Sequence, residues 1–578
     1  MKRNLSFVLI WGIVLAAGCF LFKFSLYLAA SRIYQVDECE NIFIARILAA
    51  GQTGNYFSFV SPLSLVLAWL THGIAQSVNI FASARCFMVL IFWLNLLLIA
   101  LATGERLFSR RFPIALMGAI SLAPLWDYGF EIRGDNILLT GLLLFWCAAR
   151  NAPAKLQSCF IAGTITVALQ FVAFKAFVYT LPLSFLILFF PPIDRAPRWK
   201  LVLAWVFGAT GMFLLFRLTY GMAGLWQLYL SDASRVFTDA SGSNRFTPWA
   251  TLERLLTQTP LLLALLFAGL ITMTMDLVRR RKAAFTWNGW FPETFLLAIA
   301  FAALMINPTP FAYNLLNLVP FIFLFVFRYV VLFLKDSWTS PVWCPLFISI
   351  FIFGHLVPFG VATYRHLNWT SQRQEEIMQL AEALTDPVKD PVYDGIGMVP
   401  TRSAINFNWF LHSFNIRNFT SGVWPSVSKM LADRPAVVII PSYRTDWLPE
   451  RDHEFIRDRY VSIADDFLVL GKVLPAGGGA FEIYHPGRYR IATLEGSDLT
   501  GTYPAGIAGA FAPEIAGKVT GILDGMKLTN QVVELATGTH RIQCTLNCQP
   551  TVIWLGPKLE RIGRHSGGDH QMLFVNWY

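Results

Sequence analysis

The chain has 578 residues, of which 55% are hydrophobic and 14% are charged, and its formal net charge is +10. Long apolar runs extend to about residue 362, whereas from Arg365 onward charged residues, Gly and Pro alternate with short apolar stretches. The sequence therefore predicts a polytopic membrane part followed by a soluble part. Most Lys and Arg residues of the first part lie in short clusters between apolar runs, as in cytoplasmic loops. The basic charge is thus interpreted as membrane topology, and nucleic acid is excluded as a partner.

The apolar runs predict about 11 membrane spans, because a helix needs about 20 residues to cross the bilayer. They lie near residues 5–30, 84–103, 113–127, 135–150, 157–173, 175–190, 201–219, 257–277, 291–306, 311–334 and 341–363. The apolar segment 62–78 is predicted to lie on the outer surface instead, since a crossing there would move the later basic clusters outside. This topology places the N-terminus in the cytoplasm and the soluble part outside.

Residues 1–364 form the predicted membrane domain, and two extracytoplasmic units follow it. Residues 365–486 combine predicted helices with short strand-like runs, which indicates a small α/β unit. Residues 487–578 show short strands between Gly and Pro turns, which is typical of a β-sandwich. Cys544 and Cys548 lie in this last unit, where a disulfide needs a turn between them. Both the free and the bonded state of this pair are left open.

An acidic pair, Asp37 and Glu38, follows the first predicted span directly. Adjacent carboxylates at the membrane surface are costly to bury and are not needed for packing. One of them could act as a general base that removes a proton from an acceptor hydroxyl, whose oxygen then attacks a sugar carbon. The alternative is a solvated acidic loop that only helps to set the topology.

Further polar residues lie on the same predicted side of the membrane. Arg133 and Asp135 either turn toward the acidic pair or form a salt bridge that caps the next helix. Lys175 lies deep in apolar sequence, where it either holds a lipid-linked phosphate or extends its amine to the interface. Tyr313 and Asn314 follow a proline-rich break and either line a substrate cavity or pack between helices.

Taken together, these residues resemble the membrane glycosyltransferases of the GT-C superfamily, in particular protein O-mannosyltransferases and bacterial lipid A aminoarabinose transferases. The features that carry the resemblance follow one another along the chain: Asp37-Glu38, Ser61-Pro62-Leu63, Arg85, Arg133 with Asp135, Gly163 with Lys175, and the stretch from Asn307 to Asn314. The resemblance covers about residues 1–335, and the order of its motifs is more specific than any one of them.

The resemblance implies a GT-C-like transferase in a bacterial inner membrane. Such an enzyme takes a sugar from a polyprenyl-phosphate donor held in the membrane lipid and passes it, usually with inversion, to an extracytoplasmic cell-envelope glycan, lipid or protein. The implied roles are a catalytic base for Asp37, supporting catalytic roles for Glu38 and Asp135, and donor-phosphate binding for Lys175, Arg85 and Arg133. The β-sandwich resembles a carbohydrate-binding or acceptor-docking accessory.

The chain departs from the superfamily at a position that concerns metal binding. Some members carry an acidic residue before the surface-segment proline, where it contributes to a metal site, whereas this chain has Val60 and Ser61. No metal ligand is therefore assigned, and a divalent metal is left open as the only cofactor considered.

Three other functions compete with glycosyl transfer. A transporter or flippase of lipid-linked sugars predicts internal repeats and charges at the membrane midplane, whereas the charges here lie at one predicted face. A polysaccharide polymerase or ligase predicts key Arg and His residues in a large outer loop. A non-catalytic scaffold for envelope assembly would use only the sandwich for binding.

Overall fold

The computed structural model describes most of the predicted membrane part, residues 1–364, and most of the predicted soluble part, residues 365–578; we keep these two names below. The described residues are 2–51, 60–107, 109, 111–151, 155–190, 197–231, 233–234, 247–280, 287, 289–337, 354, 357, 359–361, 363–365, 367–402, 411, 416–464, 466–495, 514–545, 548–557 and 573–574. The last predicted span, 341–363, lies almost wholly outside them.

The membrane part is built from helices. In chain order they are α1 (Lys2–Ser31), α2 (Val36–Ala49), α3 (Pro62–Leu70), α4 (Ser77–Ala102), α5 (Phe112–Ile120), α6 (Ala123–Tyr128), α7 (Gly134–Asn151), α8 (Leu156–Val172), α9 (Ala176–Phe189), α10 (Arg198–Met222), α11 (Trp249–Gln258), α12 (Pro260–Arg280), α13 (Phe291–Ile306) and α14 (Val319–Ser337). A 3₁₀ helix, Ala312–Asn317, precedes α14. Proline occupies the first turn of α3, α5 and α13, where the missing N–H has no partner within the helix in any case.

Four helical stretches of the described residues are long and apolar enough to cross a membrane. They are α4, α10, α12 and Ala312–Tyr329, which joins the 3₁₀ helix to the start of α14. Shorter apolar helices lie at Leu15–Ser31, Leu156–Val172, Ala176–Phe189 and Phe291–Ile306. A helical part with candidate spans, followed by a sheet-containing part, is thus confirmed, whereas eleven crossings stay a prediction.

Two predicted segments are divided differently in the structure. The surface segment expected at 62–78 is the shorter helix α3, which ends in a turn where Gly73 has a φ of 78°. Ser77 then begins α4, well before the expected start of the second span. The span expected at 113–127 is two helices, α5 and α6, which are interrupted just ahead of Pro124. Proline removes a backbone donor and clashes with the preceding turn, so it favours such a break.

Two glycines allow α8 and α10 to pack closely. A Cβ atom on Gly163 would lie 2.0 Å from the carbonyl oxygen of Trp205, and one on Gly208 would lie 2.1 Å from the carbonyl oxygen of Phe160. Both distances are far below van der Waals contact, so a larger residue does not fit at this crossing. Small residues that let backbones approach are a common basis of packing between membrane helices. Gly163, one of the residues of the family resemblance, therefore has a packing role.

Among the described residues, the soluble part adds helices and two sheets. The elements are α15 (Gln372–Leu384), β1 (Val392–Tyr393), α16 (Ile416–Thr420), α17 (Val427–Asp433), β2 (Val438–Ile439), α18 (Glu450–Arg459), β3 (Tyr460–Ala464), β4 (Phe467–Val473), β5 (Gly478–Ile483), β6 (Gly487–Glu495), β7 (Glu514–Lys518), β8 (Gly521–Leu523), β9 (Met526–Lys527), β10 (Val532–Leu535), β11 (Gly538–Cys544) and β12 (Pro550–Trp554). An eight-stranded sheet has the order β1-β2-β4-β12-β6-β10, with β3 beside β4 and β7 beside β6. A four-stranded sheet has the order β5-β11-β8-β9.

The larger sheet runs across the expected boundary between residues 486 and 487. β12 pairs with β4 on one side and with β6 on the other, so backbone hydrogen bonds join the two expected units. Phe481 and Ile542 of the smaller sheet share one hydrophobic cluster with Ile491 of the larger sheet. The same cluster includes Cys39 of α2. The soluble part therefore packs directly on the first loop of the membrane part.

Cys544 and Cys548 are free thiols at the end of β11. The Cys548 N–H donates to the carbonyl oxygen of Thr545 at 2.9 Å, which closes a turn. The Cys544 thiol donates to the carbonyl oxygen of Cys548 at 3.2 Å. The turn that a disulfide would need is therefore present, although the two sulfurs are not bonded.

Candidate functional site

Glu38 fixes the start of α2. Its Oε2 accepts the backbone N–H of Gln35 at 2.8 Å, three residues upstream, which is one arm of a capping box. Asp37 and Glu38 both lie in the first turn, where negative charge interacts favourably with the helix dipole. Successive residues of a helix point about 100° apart, so the two carboxylates have different surroundings.

Glu38 is completely buried and is held by Arg85. Arg85 donates through Nε to Glu38 Oε1 at 2.9 Å and through Nη2 to Oε2 at 2.7 Å. The N–H of Ile132 donates to Oε1 at 3.1 Å, so Glu38 accepts four hydrogen bonds in all. Burial raises the pKa of Glu38, but the charge and hydrogen bonds of Arg85 outweigh it and hold this pKa below its usual range. Glu38 is therefore an ionised anchor between α2, α4 and the loop before α7.

Arg85 uses all five of its N–H groups within the protein. Besides its two bonds to Glu38, it donates to three carbonyl oxygens at the end of α1, those of Ala29 at 3.0 Å, Arg32 at 2.5 Å and Ile33 at 2.8 Å. This arrangement leaves no donor for a ligand. The geometry thus gives Arg85 a structural role and offers no support for the expected binding of phosphate.

Asp37 faces away from this anchor and keeps 30% of its side chain exposed. Its Oδ2 lies 2.7 Å from Nη2 of Arg133. Arg133 also lies 3.5 Å from Asp135 through Nε, and its guanidinium lies 3.6 Å from the centroid of the Tyr313 ring. Arg133 thus reaches the acidic pair and also forms the salt bridge to Asp135. The two alternatives that the sequence leaves open for Arg133 occur together.

Lys175 continues this line of charges on the other side of Asp135. Its ammonium group forms an ion pair with Asp135 Oδ1 and donates to Asn314 Oδ1 at 2.9 Å. It lies 5.1 Å from the centroid of the Tyr313 ring and directly precedes α9. Lys175 keeps 26% of its side chain exposed. An ammonium group has three donors, so an anion that reaches the cluster can be bound here.

The proline-rich break orients Asn314 toward Lys175. Asn307 donates through Nδ2 to Asn314 Oδ1 at 2.9 Å. Asn314 in turn donates through Nδ2 to the carbonyl oxygens of Thr309 at 3.0 Å and Phe311 at 2.9 Å. The amide is therefore fixed, and its oxygen is presented to the ammonium group. We call Asp37, Arg133, Asp135, Lys175, Tyr313 and Asn314 together the charged cluster.

Arg32 and Glu131 support the cluster from within the protein, although the sequence assigns neither a site role. Arg32 Nη2 lies 3.1 Å from Glu131 Oε1, and Arg133 Nη1 lies 3.6 Å from Glu131 Oε2. Burial raises the pKa of Glu131 to about 7, against the opposing charges of Arg32 and Arg133. One signal was available in the sequence, because Arg32 is a basic residue at the predicted outer end of the first span, where basic residues are uncommon.

Helix α11 contacts α6, and the sequence assigns its residues no site role. Its Arg254 donates to the hydroxyl of Tyr128 at 2.7 Å, and its Gln258 donates to the carboxylate of Asp127. Arg254 and Gln258 are four residues apart and so share one helix face. That spacing is the signal from which their common direction could be predicted.

The soluble part is attached beside the charged cluster. The N–H of Tyr34 donates to Gln374 Oε1 at 2.6 Å, and the N–H of Ser77 donates to Glu382 Oε1 at 2.7 Å. Both acceptors belong to α15. Tyr443 packs against the hydrophobic cluster that α2 shares with the soluble part, and burial raises the pKa of its hydroxyl. The loop before α18 therefore lies against α2.

All eight residues expected at the site are described, and six of them form the charged cluster, whereas Glu38 and Arg85 lie behind it. Within the stretches that the structure describes, no group of three or more His, Cys, Asp or Glu side chains is arranged to hold a metal ion. No protein-family model and no curated protein matches the chain.

Proposed function

We propose that the protein is a membrane glycosyltransferase. It moves a sugar from a polyprenyl-phosphate donor to a hydroxyl of an extracytoplasmic cell-envelope acceptor, with inversion at the sugar carbon. The observation that carries the proposal is the charged cluster, which connects the partly exposed carboxylate of Asp37 to the partly exposed ammonium group of Lys175 through Arg133 and Asp135. The order of motifs shared with the GT-C superfamily supports it.

In the proposed reaction Asp37 removes the proton of the acceptor hydroxyl. The hydroxyl oxygen bonds to the anomeric carbon from the face opposite the phosphate. The bond between that carbon and the phosphate oxygen breaks, and polyprenyl phosphate leaves with the electron pair. Lys175 stabilises the charge that develops on the leaving phosphate. After the products depart, Asp37 releases its proton to solvent.

The other residues of the site position these two groups. Arg133 orients Asp37, and Asp135 lies between the two basic side chains and fixes both. The donor phosphate is assigned to Lys175 because Arg133 already contacts carboxylates on several sides. Glu38 holds the start of α2, and therefore Asp37, in place.

We place the charged cluster at the outer face of a bacterial inner membrane, and we keep about eleven crossings as part of the proposal. Helix α4 has 26 residues and is about 39 Å long, enough to reach both membrane surfaces. Ser77 at its first end contacts the soluble part, whereas the carbonyl at its other end accepts from Trp146. Arg106 and Arg111 follow that second end in the sequence. Because basic loops are retained in the cytoplasm, the cluster and the soluble part face outward.

Transfer of labelled sugar from polyprenyl-phosphate donors tests the proposal, with the protein in liposomes and a cell-envelope extract as acceptor. Asp37→Asn removes the base but keeps an oxygen that accepts from Arg133, so we expect the rate to fall at least about a hundredfold. Glu105→Gln is the matched control, since it removes a carboxylate that pairs with Arg111 beyond the far end of α4. This variant should transfer at the wild-type rate.

Two outcomes would count against the proposal. Full activity of Asp37→Asn would remove this carboxylate from the mechanism. Movement of a labelled lipid-linked sugar across the bilayer by the wild type, without transfer from any donor, would favour a flippase.

A further inference from the structure

The soluble part contains a cleft that is separate from the charged cluster. It has a volume of about 170 Å³ and lies between the two sheets. Its walls come from the end of α18, from β4, β6 and β12 of the larger sheet, and from β5 and β11 of the smaller sheet. A concave site with a few convergent polar groups is the usual form of a small-ligand site.

Arg459 is held in one orientation at the wall of the cleft. Its guanidinium lies between two rings, 4.1 Å from the centroid of Phe455 and 4.0 Å from the centroid of Tyr484. Among the described residues, no acceptor receives a hydrogen bond from this guanidinium. A guanidinium stacked on aromatic rings keeps its N–H groups in a fixed plane. Arg459 thus presents a preorganised set of donors to the cleft.

Two carboxylates supply acceptors at the same cleft. Asp458 Oδ1 receives a hydrogen bond from Lys472 Nζ at 2.8 Å, and Glu482 Oε1 receives one from the hydroxyl of Thr539. A carboxylate has two oxygens. In the part of the chain that the structure describes, the second oxygen of each group has no protein donor. Donors and acceptors therefore line one small space.

The charges of the cleft balance, and this balance selects the class of ligand. Arg459 and Lys472 are basic, whereas Asp458 and Glu482 are acidic. An anion would meet two carboxylates and a cation would meet two basic groups, so neither gains a net attraction. A neutral ligand with several hydroxyl groups can donate to the carboxylates and accept from the guanidinium. The half-buried ring of Tyr484, which Arg459 contacts, adds apolar surface to the wall of the cleft.

We infer that this cleft binds a neutral saccharide unit of a cell-envelope glycan. The inference goes beyond the proposed function, because retention of a glycan in the soluble part requires no chemistry at the charged cluster. The protein then has two sugar-recognising sites, one at the membrane surface and one in the soluble part.

Equilibrium binding of fluorescently labelled neutral hexose di- and trisaccharides to the intact, detergent-purified protein tests the inference. We expect saturable binding to the wild type. Glu482→Gln and Arg459→Lys should each weaken it at least about tenfold, since each removes hydrogen bonds to a charged group. Glu534→Gln is the matched control, because Glu534 is exposed on β10 and lies outside the cleft.

Asp37→Asn separates this inference from the proposed function. It should abolish sugar transfer and leave saccharide binding unchanged, so either idea can fail alone. No binding of any neutral saccharide would overturn the inference, as would binding confined to anionic oligosaccharides or acidic peptides. Binding that survives both Glu482→Gln and Arg459→Lys would also overturn it, because the ligand would then occupy another site. Unchanged elution volumes confirm that the variants are folded.

Discussion

The substitution Glu38→Gln is expected to destabilise the protein and not only to slow sugar transfer. A glutamine side chain has one acceptor oxygen, and its amide nitrogen can only donate. If the nitrogen takes the Oε2 position, it meets the N–H of Gln35 and Nη2 of Arg85. If it takes the Oε1 position, it meets Nε of Arg85 and the N–H of Ile132. In either orientation two hydrogen bonds become contacts between donors.

The size of this loss of stability follows from the burial of the ion pair between Arg85 and Glu38. The side chains of Arg85 and Glu38 are 2% and 0% exposed, so solvent does not screen the guanidinium that is left behind. Breaking a buried pair by removing one partner costs about 3–5 kcal/mol. The same substitution at Glu105 breaks a pair to Arg111 that is 3.6 Å long and 18% and 44% exposed. That change costs about 0–1 kcal/mol, so Glu105→Gln is the control.

Heating the detergent-purified protein and measuring the fraction that stays monodisperse gives the midpoint of unfolding. We expect Glu38→Gln to lower the midpoint by several degrees and Glu105→Gln by about a degree or less. Asp37→Asn should lower the midpoint less than Glu38→Gln, because Asp37 is 30% exposed, while the rate of sugar transfer falls at least about a hundredfold. A wild-type midpoint for Glu38→Gln would refute the structural role of Glu38 and return it to the candidates for catalysis.

Two further predictions concern the helix crossing and the C-terminal strands. Gly163→Ala places a methyl group 2.0 Å from the carbonyl oxygen of Trp205 and should lower the midpoint of unfolding. Gly211→Ala is the control and should not lower it, because no atom lies within 4 Å of the added methyl group. Equal midpoints for the two variants would contradict the packing argument. Asp524→Asn removes the carboxylate 2.7 Å from the imidazole of His540. Burial lowers the pKa of His540, but its hydrogen bond to Asp524 outweighs burial and raises this pKa above its ordinary value. Burial raises the pKa of Asp524, but the same hydrogen bond outweighs burial and lowers this pKa below its ordinary value. The stabilisation from Asp524 is therefore present above about pH 3.9 and lost on acidification, while that from His540 is present below about pH 6.5 and lost as pH rises through its raised pKa. Because Asp524 is 37% exposed, we expect the pair to stabilise the protein by less than about 1 kcal/mol. Asp524→Asn should therefore be less resistant to protease than the wild type near pH 5, where this difference is largest, and equally resistant near pH 9. The same difference at both pH values would disprove the coupling.

Much of the charged cluster could be predicted from the sequence, for a physical reason. Asp37, Arg133, Asp135 and Lys175 are polar groups where apolar ones would be less costly, so each draws attention by itself. The predicted topology places their loops on one membrane face, so it also predicts that these residues lie on the same side of the protein. What the sequence did not show is the order of contacts, from Asp37 through Arg133 and Asp135 to Lys175.

The different roles of Asp37 and Glu38 could not be predicted from their local sequence. The two residues are neighbours of the same chemistry, and the side chain that becomes buried is chosen by Arg85 and by the N–H of Ile132. These partners come from α4 and from the loop before α7, so only the folded chain brings them together. Arg85 likewise resembles a phosphate ligand in the sequence, whereas in the structure all five of its N–H groups donate to acceptors of the protein.

The strands of the soluble part could be predicted better than their pairing. Short strands are expected in residues 365–486 and in residues 487–578, and strands occur in both ranges. Alternation does not predict partners, however, so it gave no sign that β12 lies between β4 and β6. The expected boundary at residue 486 follows a change in the pattern of the sequence, from mixed helices and strand-like runs to short strands between turns. The larger sheet, however, includes strands from both sides of this boundary.

The attachment of the first loop to α15 sets an order of events during biosynthesis. The N–H groups of Ile33 and Tyr34 donate to Trp369 and Gln374, which are synthesised more than 300 residues later. A nascent chain that has exposed only its first loop offers these donors no protein partner, so water must solvate them. The loop that carries Asp37 therefore takes its final form only after residue 374 of 578 has been made. A protein interrupted by a stop codon before that point would contain the N-terminal helices, but its first loop would lack the partners that it needs to reach its final form.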